Sequence, residues 1–385
     1  MKIAFLTEKY TPDIGGLAIS SERFVRLQSS AGHRVHVFAP TLNLAASERR
    51  TLASGGVNLT RYGAHKRVDD TLVDWFELLV EEHHREPFDV IHAYFLTQAG
   101  FVATYAGKYL RVPSVVSARG NDLERAIFDP ARAAHVLFSL QHADAVTTNA
   151  KELARKARAL MPDIEVTVIP NGIDTNHFQP LPRNKALAES LSLRKQGEIE
   201  TTTRVVGFAG ELRIKKGLRP LLGAYAKVDQ RNPTVLLIVG DVRAGEDKQI
   251  LEDFKLSYPR GQIRITGFVS PTDLPAYYSL MDVFVQPSLR DGLPNALLEA
   301  MACQRAVIGT PVGGIAEVVE DCENGRLVAT NSVDQLALAI DELLTNEDLR
   351  KKLGSAARQT IVDKFTLQAE LDANLNIYER LRIRP

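Results

Sequence analysis

Short apolar runs that stop at a glycine or polar turn and give way to helical spacing recur along this chain, and few folds accommodate that alternation. Residues 2–7 form the first run, broken by Tyr-Thr-Pro-Asp-Ile-Gly-Gly. Residues 17–30 then carry helical spacing and stop at Gly32, and a second run follows at 34–39. Strand, glycine loop, helix, strand is the opening of a doubly wound α/β domain. The pattern continues with strands at 57–61, 88–93, 113–118 and 144–148 and a helix at 71–85. Strands in series with helices between them imply a parallel sheet, whose ligand crevice lies beyond the strand carboxyl ends. A second series opens with VVGFAGELRIKKGLRPLLGAYAKV from Val205 and adds strands at 234–240, 262–266, 282–286 and 307–310.

The chain has 385 residues, more than one hydrophobic core holds, so two domains are expected. The first is placed at 1–180, a polar linker with prolines at 181–203, and the second at 204–366. Helical spacing at 332–344, 348–363 and 367–381 closes the chain. A 45% apolar and 24% charged composition is that of a soluble globular protein. Zero formal net charge argues against a general polyanion-binding role, so nucleic acid is not an expected partner. Cys303 and Cys322 show no metal spacing, which reads as a reducing compartment without a disulfide framework. The N-terminal apolar stretch is too short for a signal peptide and no run reaches membrane-spanning length, so the cytoplasm is the expected location. The basic helix at 151–160, with Lys151, Arg155, Lys156 and Arg158, is compatible with peripheral contact to anionic lipid, although a solvated face is the commoner reason for such a helix.

The stretch 283–304, VFVQPSLRDGLPNALLEAMACQ, carries the chemistry. A strand runs through Asp291-Gly292 into a helix opened by Pro294. Leu293 before it cannot cap, so the amides of Asn295, Ala296 and Leu297 lack a local side-chain acceptor. Such a terminus suits an anion. Glu299 follows with small neighbours on its face, which leaves room for a ligand whose hydroxyls it accepts from. In the loop after Gly210, Arg213, Lys215 and Lys216 lie beside a strand end, where they can neutralise a diphosphate. Gly15-Gly16 lets backbone approach a ligand before a helix start, and Gly240 and Gly267-Phe268-Val269 sit at two further strand ends. His92 is expected at the end of its strand. Arg119, in the turn Arg-Gly-Asn-Asp after the 113–118 strand, cannot act as a base, so any role is electrostatic or a hydrogen-bond fork.

Asp291, seven residues, then Glu299 and Ala-Met-Ala, followed after a strand by Thr-Pro-Val-Gly-Gly-Ile-Ala-Glu, resembles the signature of retaining glycosyltransferases of family four, and Ile169-Pro170-Asn171-Gly172-Ile173-Asp174 matches a hinge-proximal motif of that family. The resemblance implies the GT-B fold, two Rossmann-like domains facing across a cleft, with the last helix, about 367–385, crossing back onto the first. It implies a nucleoside diphosphate sugar, UDP- or GDP-linked, as donor, a sugar, lipid-linked or small-molecule acceptor, hexosyl transfer with retention, and no required cofactor. Lys216 occupies the phosphate lysine position. Glu299 would hold the ribose, Asp291 a donor-sugar hydroxyl, Gly292 to Leu297 the diphosphate, Gly267 to Val269 the base, and Gly15-Gly16 would face the donor phosphates. No DxD-like metal pair is present at a fitting strand end, so metal independence is expected. The chain departs from the family at Glu211 for an arginine, Arg119 for a histidine, Asp291 for a glutamate, and Gln304 and Ala306 for Gly and Pro. These departures keep two rivals open: a nucleotide-sugar epimerase of the same architecture, and a nucleotide-sugar binding protein without catalysis.

Overall fold

A computed structural model describes residues 1–13, 15–46, 48–193 and 203–383. Eight strands form the first sheet: β1 (Lys2–Thr7), β2 (Arg34–Ala46), β3 (Arg49–Ser54), β4 (Val57–Gly63), β5 (Val90–Tyr94), β6 (Ser114–Ala118), β7 (Ala145–Thr148) and β8 (Val166–Val168). Six form the second: β9 (Arg204–Ala209), β10 (Thr234–Val239), β11 (Gln262–Ile265), β12 (Val283–Gln286), β13 (Ala306–Gly309) and β14 (Arg326–Leu327). Their orders are β3-β4-β2-β1-β5-β6-β7-β8 and β11-β10-β9-β12-β13-β14. Only the β3–β4 pairing is antiparallel among these strands. Both sheets are of the doubly wound α/β class.

Every residue of β1, β5, β6 and β10 is buried, as strands covered by helices on both faces must be, and this is why they read as unbroken apolar runs. In the first sheet the chain runs outward from β1 to β2 and β4, then returns to β5 on the other side of β1. In the second it runs outward from β9 to β11 and returns to β12 beside β9. The order therefore reverses between β1 and β5 and again between β9 and β12, and at such points the loops leaving the strand ends diverge and open a crevice.

Several elements differ from the sequence expectation, among them β8 and β14, which it did not contain. Strand β2 is twice as long as expected, and β3, Arg-Arg-Thr-Leu-Ala-Ser, is exposed at every residue. An edge strand held by ladder bonds alone carries no burial pattern to read. Of the 181–203 stretch, residues 194–202 lie outside the described residues, and Lys185–Ser190 is a short helix whose Asn184 cap accepts the Leu187 amide. The chain divides into two compact units, residues 1–170 with 367–385, and residues 171–366. The division falls ten residues before the expected boundary because Ile173, Phe178, Ala188 and Leu193 are buried in the second unit's core, where the Ile173 amide donates to the Phe365 carbonyl at 2.7 Å.

The helix Leu367–Ile383 packs in the first unit. Its Glu370 pairs with Arg23 at 3.0 Å, and its Tyr378 hydroxyl lies 2.5 Å from His92 Nδ1. His92 is thereby corrected as a site residue. It is the third of five residues of β5 rather than its end, is fully buried, and is held on its other nitrogen by Ser117 Oγ at 2.8 Å, which itself meets Thr147. Cys303 is buried and Cys322 exposed. Burial pushes the Cys303 thiol up to about 12. Among the described residues, no helix is long and apolar enough to cross a membrane.

Burial, with the Arg119 charge behind it, drives His92 down to about 3. An unfolded histidine takes its proton at about 6.5, so the stability present above that pH drains away as pH falls toward 3. His92→Gln removes this proton uptake. Its urea midpoint is expected to fall less between pH 7 and pH 5 than that of the unaltered protein; parallel falls would exclude His92 as an acid-sensitive point.

Candidate functional site

Three loops at the carboxyl ends of β9, β12 and β13 are drawn together by backbone contacts. After β9, the turn Ile214–Lys216 ends at Gly217, which has φ 83° and lies so close to the next loop that a Cβ there would sit 2.0 Å from the Pro287 carbonyl oxygen. The Leu289 amide donates to the Lys215 carbonyl at 2.9 Å, and the Ile214 amide to Asp247 at 2.7 Å. After β13, Gly313 has φ 52°, and a Cβ there would meet the Asp291 carbonyl oxygen at 1.7 Å. The neighbouring Gly314 amide donates to the Gly292 carbonyl at 2.6 Å. Only glycine serves at 217 and 313, because the backbone is left-handed and the space is taken.

This packing places Lys216 against Asp291, and the two form an ion pair with side chains only 20% and 12% exposed. Asp291 Oδ2 also accepts from Ser288 Oγ at 2.9 Å and lies 3.4 Å from Gln286 Nε2. Arg213 Nη1 lies 3.4 Å from the Glu211 carboxylate. The helix Asn295–Ala302 starts after Gly292 and Leu293 with Pro294 at its cap position rather than inside it, and no side chain caps it. Of the three amides singled out in the sequence, that of Leu297 is engaged with the Pro294 carbonyl at 3.2 Å. Asn171 Nδ2 donates to Asn295 Oδ1 at 2.8 Å and to the Leu293 carbonyl at 3.3 Å, fixing the approach to the helix. One turn on, Glu299 is partly buried and accepts from the Tyr278 hydroxyl at 2.7 Å. Burial, then the Glu299 carboxylate, holds Tyr278 far above the ordinary phenol range, so it remains a donor.

The other sequence candidates of this unit line neighbouring strand ends. The Gly240 amide donates to Thr266 Oγ1 at 3.1 Å, and a Cβ on Gly240 would meet the Gly210 carbonyl oxygen at 2.3 Å. Gly267 follows β11, and Phe268 beside it is 68% exposed, an aromatic face open to a planar ring, while Val269 is partly buried. Arg213, Lys216, Asp291, Gly292 to Leu297 and Glu299 thus follow the carboxyl ends of β9 and β12, with Gly240, Gly267 and Phe268 after the neighbouring ends of β10 and β11. Gly15, Gly16 and Arg119 belong to the first unit. Gly15 caps the helix Gly16–Ser30 with φ 133° and no side-chain cap, and nothing approaches within 4 Å of a Cβ on either glycine. The Arg119 guanidinium stacks on the Tyr94 ring, 3.6 Å from its centroid.

Two family models match the chain. Residues 14–177 match the family model Glycosyltransferase Family 4 and residues 190–360 match Glycosyl transferases group 1. The chain belongs to these glycosyltransferases. It is 28% identical over 390 residues, 96% of this chain and 97% of the other, to a GDP-mannose-dependent alpha-(1-6)-phosphatidylinositol monomannoside mannosyltransferase of Mycobacterium tuberculosis. Its fold is the GT-B fold of a sucrose-phosphate synthase from Thermosynechococcus elongatus (TM-score 0.82, 22% identity, 99% and 98% of the two chains) and of HepE from Anabaena in complex with UDP (TM-score 0.80, 20% identity, 99% of each).

Several polar residues that hold the candidate residues in place escaped the sequence reading. Ser288 and Gln286 lie within the 283–304 stretch, but nothing in their spacing marks them as partners of Asp291. Tyr278 and Asn171 come from separate elements, and only the fold brings them in. Asp122, in the turn after β6, is fully buried and accepts four backbone amides.

Gly217→Ala is expected to destabilise the enzyme by at least ~1 kcal/mol in urea denaturation, because the backbone is left-handed and the Pro287 carbonyl must move. Gly16→Ala, in open space at a helix start, is expected to stay within about 0.5 kcal/mol. Equal stability of the two variants would show that the loop contact at Gly217 is dispensable.

Proposed function

We propose that this glycosyltransferase moves a hexosyl group from a nucleoside diphosphate sugar to an acceptor with retention of anomeric configuration. The observation that carries the reading is the Lys216–Asp291 ion pair standing beside a helix start without a side-chain cap, at the point where the order of the second sheet reverses, with Glu299 farther along that helix. A donor diphosphate draws Lys216 away from Asp291 and adds Arg213 and the dipole of helix Asn295–Ala302 as counter-charge. The released Asp291 accepts a hydroxyl of the donor sugar, and Glu299, oriented by Tyr278, accepts from the ribose diol. The nucleobase lies along Gly267 to Val269 near the end of β10 at Gly240, with Phe268 as its stacking face. In the first unit, Gly15 and Gly16 leave backbone open to an anionic ligand, and the Arg119 guanidinium offers a hydrogen-bond fork to hydroxyls of the transferred group. As the anomeric carbon–oxygen bond breaks, the leaving phosphate takes the acceptor proton and the new glycosidic bond forms on the same face.

The relatives support a UDP- or GDP-linked donor, since HepE was solved with UDP and the mycobacterial relative is named for GDP-mannose. The latter's name also favours a lipid-linked glycan among the acceptor classes.

A thermal-shift screen with UDP, GDP, ADP and their sugars tests the donor assignment, a ligand at a hundred times its Kd adding about 2.7 kcal/mol of stability. Lys216→Ala and Glu299→Ala are each expected to weaken the responding nucleotide about tenfold or more, the loss of one charged hydrogen bond. Wild-type affinity in both would remove the site. Asp291→Asn, which frees Lys216, is expected to leave nucleotide affinity equal or tighter while turnover falls roughly tenfold or more; the reverse ranking would take Asp291 away from the sugar.

A further inference from the structure

Two acidic residues of the first unit take no part in the function argued above, yet they grip the loops from which Arg119 projects. Asp122 is 1% exposed and turns its carboxylate back onto its own turn. Oδ1 accepts the amides of Gly120 at 2.8 Å and Leu123 at 3.1 Å, the Arg119 amide lies 3.2 and 3.1 Å from Oδ1 and Oδ2, and Oδ2 accepts the Leu96 amide from the neighbouring loop at 3.3 Å. Glu8, just past the end of β1, takes the next two residues of that loop: Oε1 accepts from Thr97 Oγ1 and from the Gln98 amide at 3.2 Å. Thr97 holds the cap position of helix Gln98–Leu110 without capping it by its own side chain, so Glu8 supplies the cap from another strand. Leu96, Thr97 and Gln98 are therefore clasped from two sides, directly after Phe95, a non-glycine residue held at φ 74°. Burial raises both carboxyls against these donors, Asp122 to about 6.

A burial penalty on two carboxylates, together with a strained residue between them, is tolerated where one loop geometry matters. What is so fixed is a stacked pair: Tyr94 ends β5, Arg119 follows β6, and the guanidinium lies over the ring. Asp122 sets the backbone under Arg119, and the Asp122 and Glu8 clasp sets the loop that continues from Tyr94. Neither acid needs to touch a substrate for this.

We propose that Glu8 and Asp122 are positioning residues for glycosyl transfer, a two-carboxylate clasp that holds loop 95–98 and turn 119–123 so that Arg119 is presented in one pose. The inference rests on the assignment of Arg119 to the transferred group. The two are separated by a double-mutant cycle and by amide hydrogen exchange.

The kinetic measurement is release of nucleoside diphosphate from whichever donor sugar gives the largest thermal shift. Asp122→Asn, which presents an amide N–H to backbone N–H groups, is expected to lower kcat about tenfold with donor KM within about twofold, and to cost less than about twofold more when Arg119 is already Ala. Glu8→Gln is expected to act in the same direction and serves should Asp122→Asn fail to fold. Equal losses with and without Arg119, or a loss carried by donor KM, would overturn the proposal, because the acids would then act on something other than the Arg119 pose. Full activity of Arg119→Ala would overturn it as well. Hydrogen exchange reads the clasp without turnover: protection is expected to fall in residues 95–98 and 119–123 and to stay unchanged elsewhere in Asp122→Asn. Unchanged protection in those segments refutes the clasp itself, whereas their selective loss beside a wild-type protein that turns over no donor would refute the assigned reaction and leave the clasp standing.

Discussion

The candidate site of the second unit depends on backbone passing against backbone. At Gly217 the chain runs against the Pro287 carbonyl, and at Gly313 against that of Asp291. These contacts pull three loops from β9, β12 and β13 into one patch, which the strand order leaves open between β9 and β12. Lys216 reaches Asp291 because of that packing, and not because of anything local to either residue, since 75 positions separate them. The chemistry is thus carried by residues whose relative placement is a property of the glycines beneath them.

The cations of this patch are paired with neighbouring acids. Lys216 faces Asp291, and Arg213 faces Glu211. Both of these cations already have an anion, so under the proposed function a diphosphate would enter by exchange of partners rather than by filling an unopposed positive field. A half-buried cation that is already paired carries less desolvation cost than an isolated one. The pairing also gives a physical sense to Glu211 in a place where similar enzymes carry an arginine.

Much of the architecture was legible because buried parallel strands and amphipathic helices leave periodic traces: the buried strands of both series, β2's far end apart, and the closing helices stood where the alternation put them, to within a few residues. Strand β3 left no trace because none of its side chains is buried. His92 was misplaced because an apolar run does not reveal its last paired residue, and a displacement of two positions turns a rim residue into a core one. The motif around Asp291 and Glu299 was readable as local chemistry, whereas Tyr278, Asn171 and Ser288 became partners only through packing. In Arg-Gly-Asn-Asp the turn was visible, but four amides converging on its last residue could not be, because that depends on Leu96 arriving from β5.

The two thiols differ more in reactivity than their count suggests. Cys303 is packed in the donor-side core with its ionisation pushed up to about 12, and thiolate, not thiol, is the nucleophile. Cys322 stands exposed between β13 and β14 in the same unit. A maleimide dye would therefore mark one position in the native enzyme without any cysteine having to be removed, giving the second unit a built-in attachment point for an optical reporter.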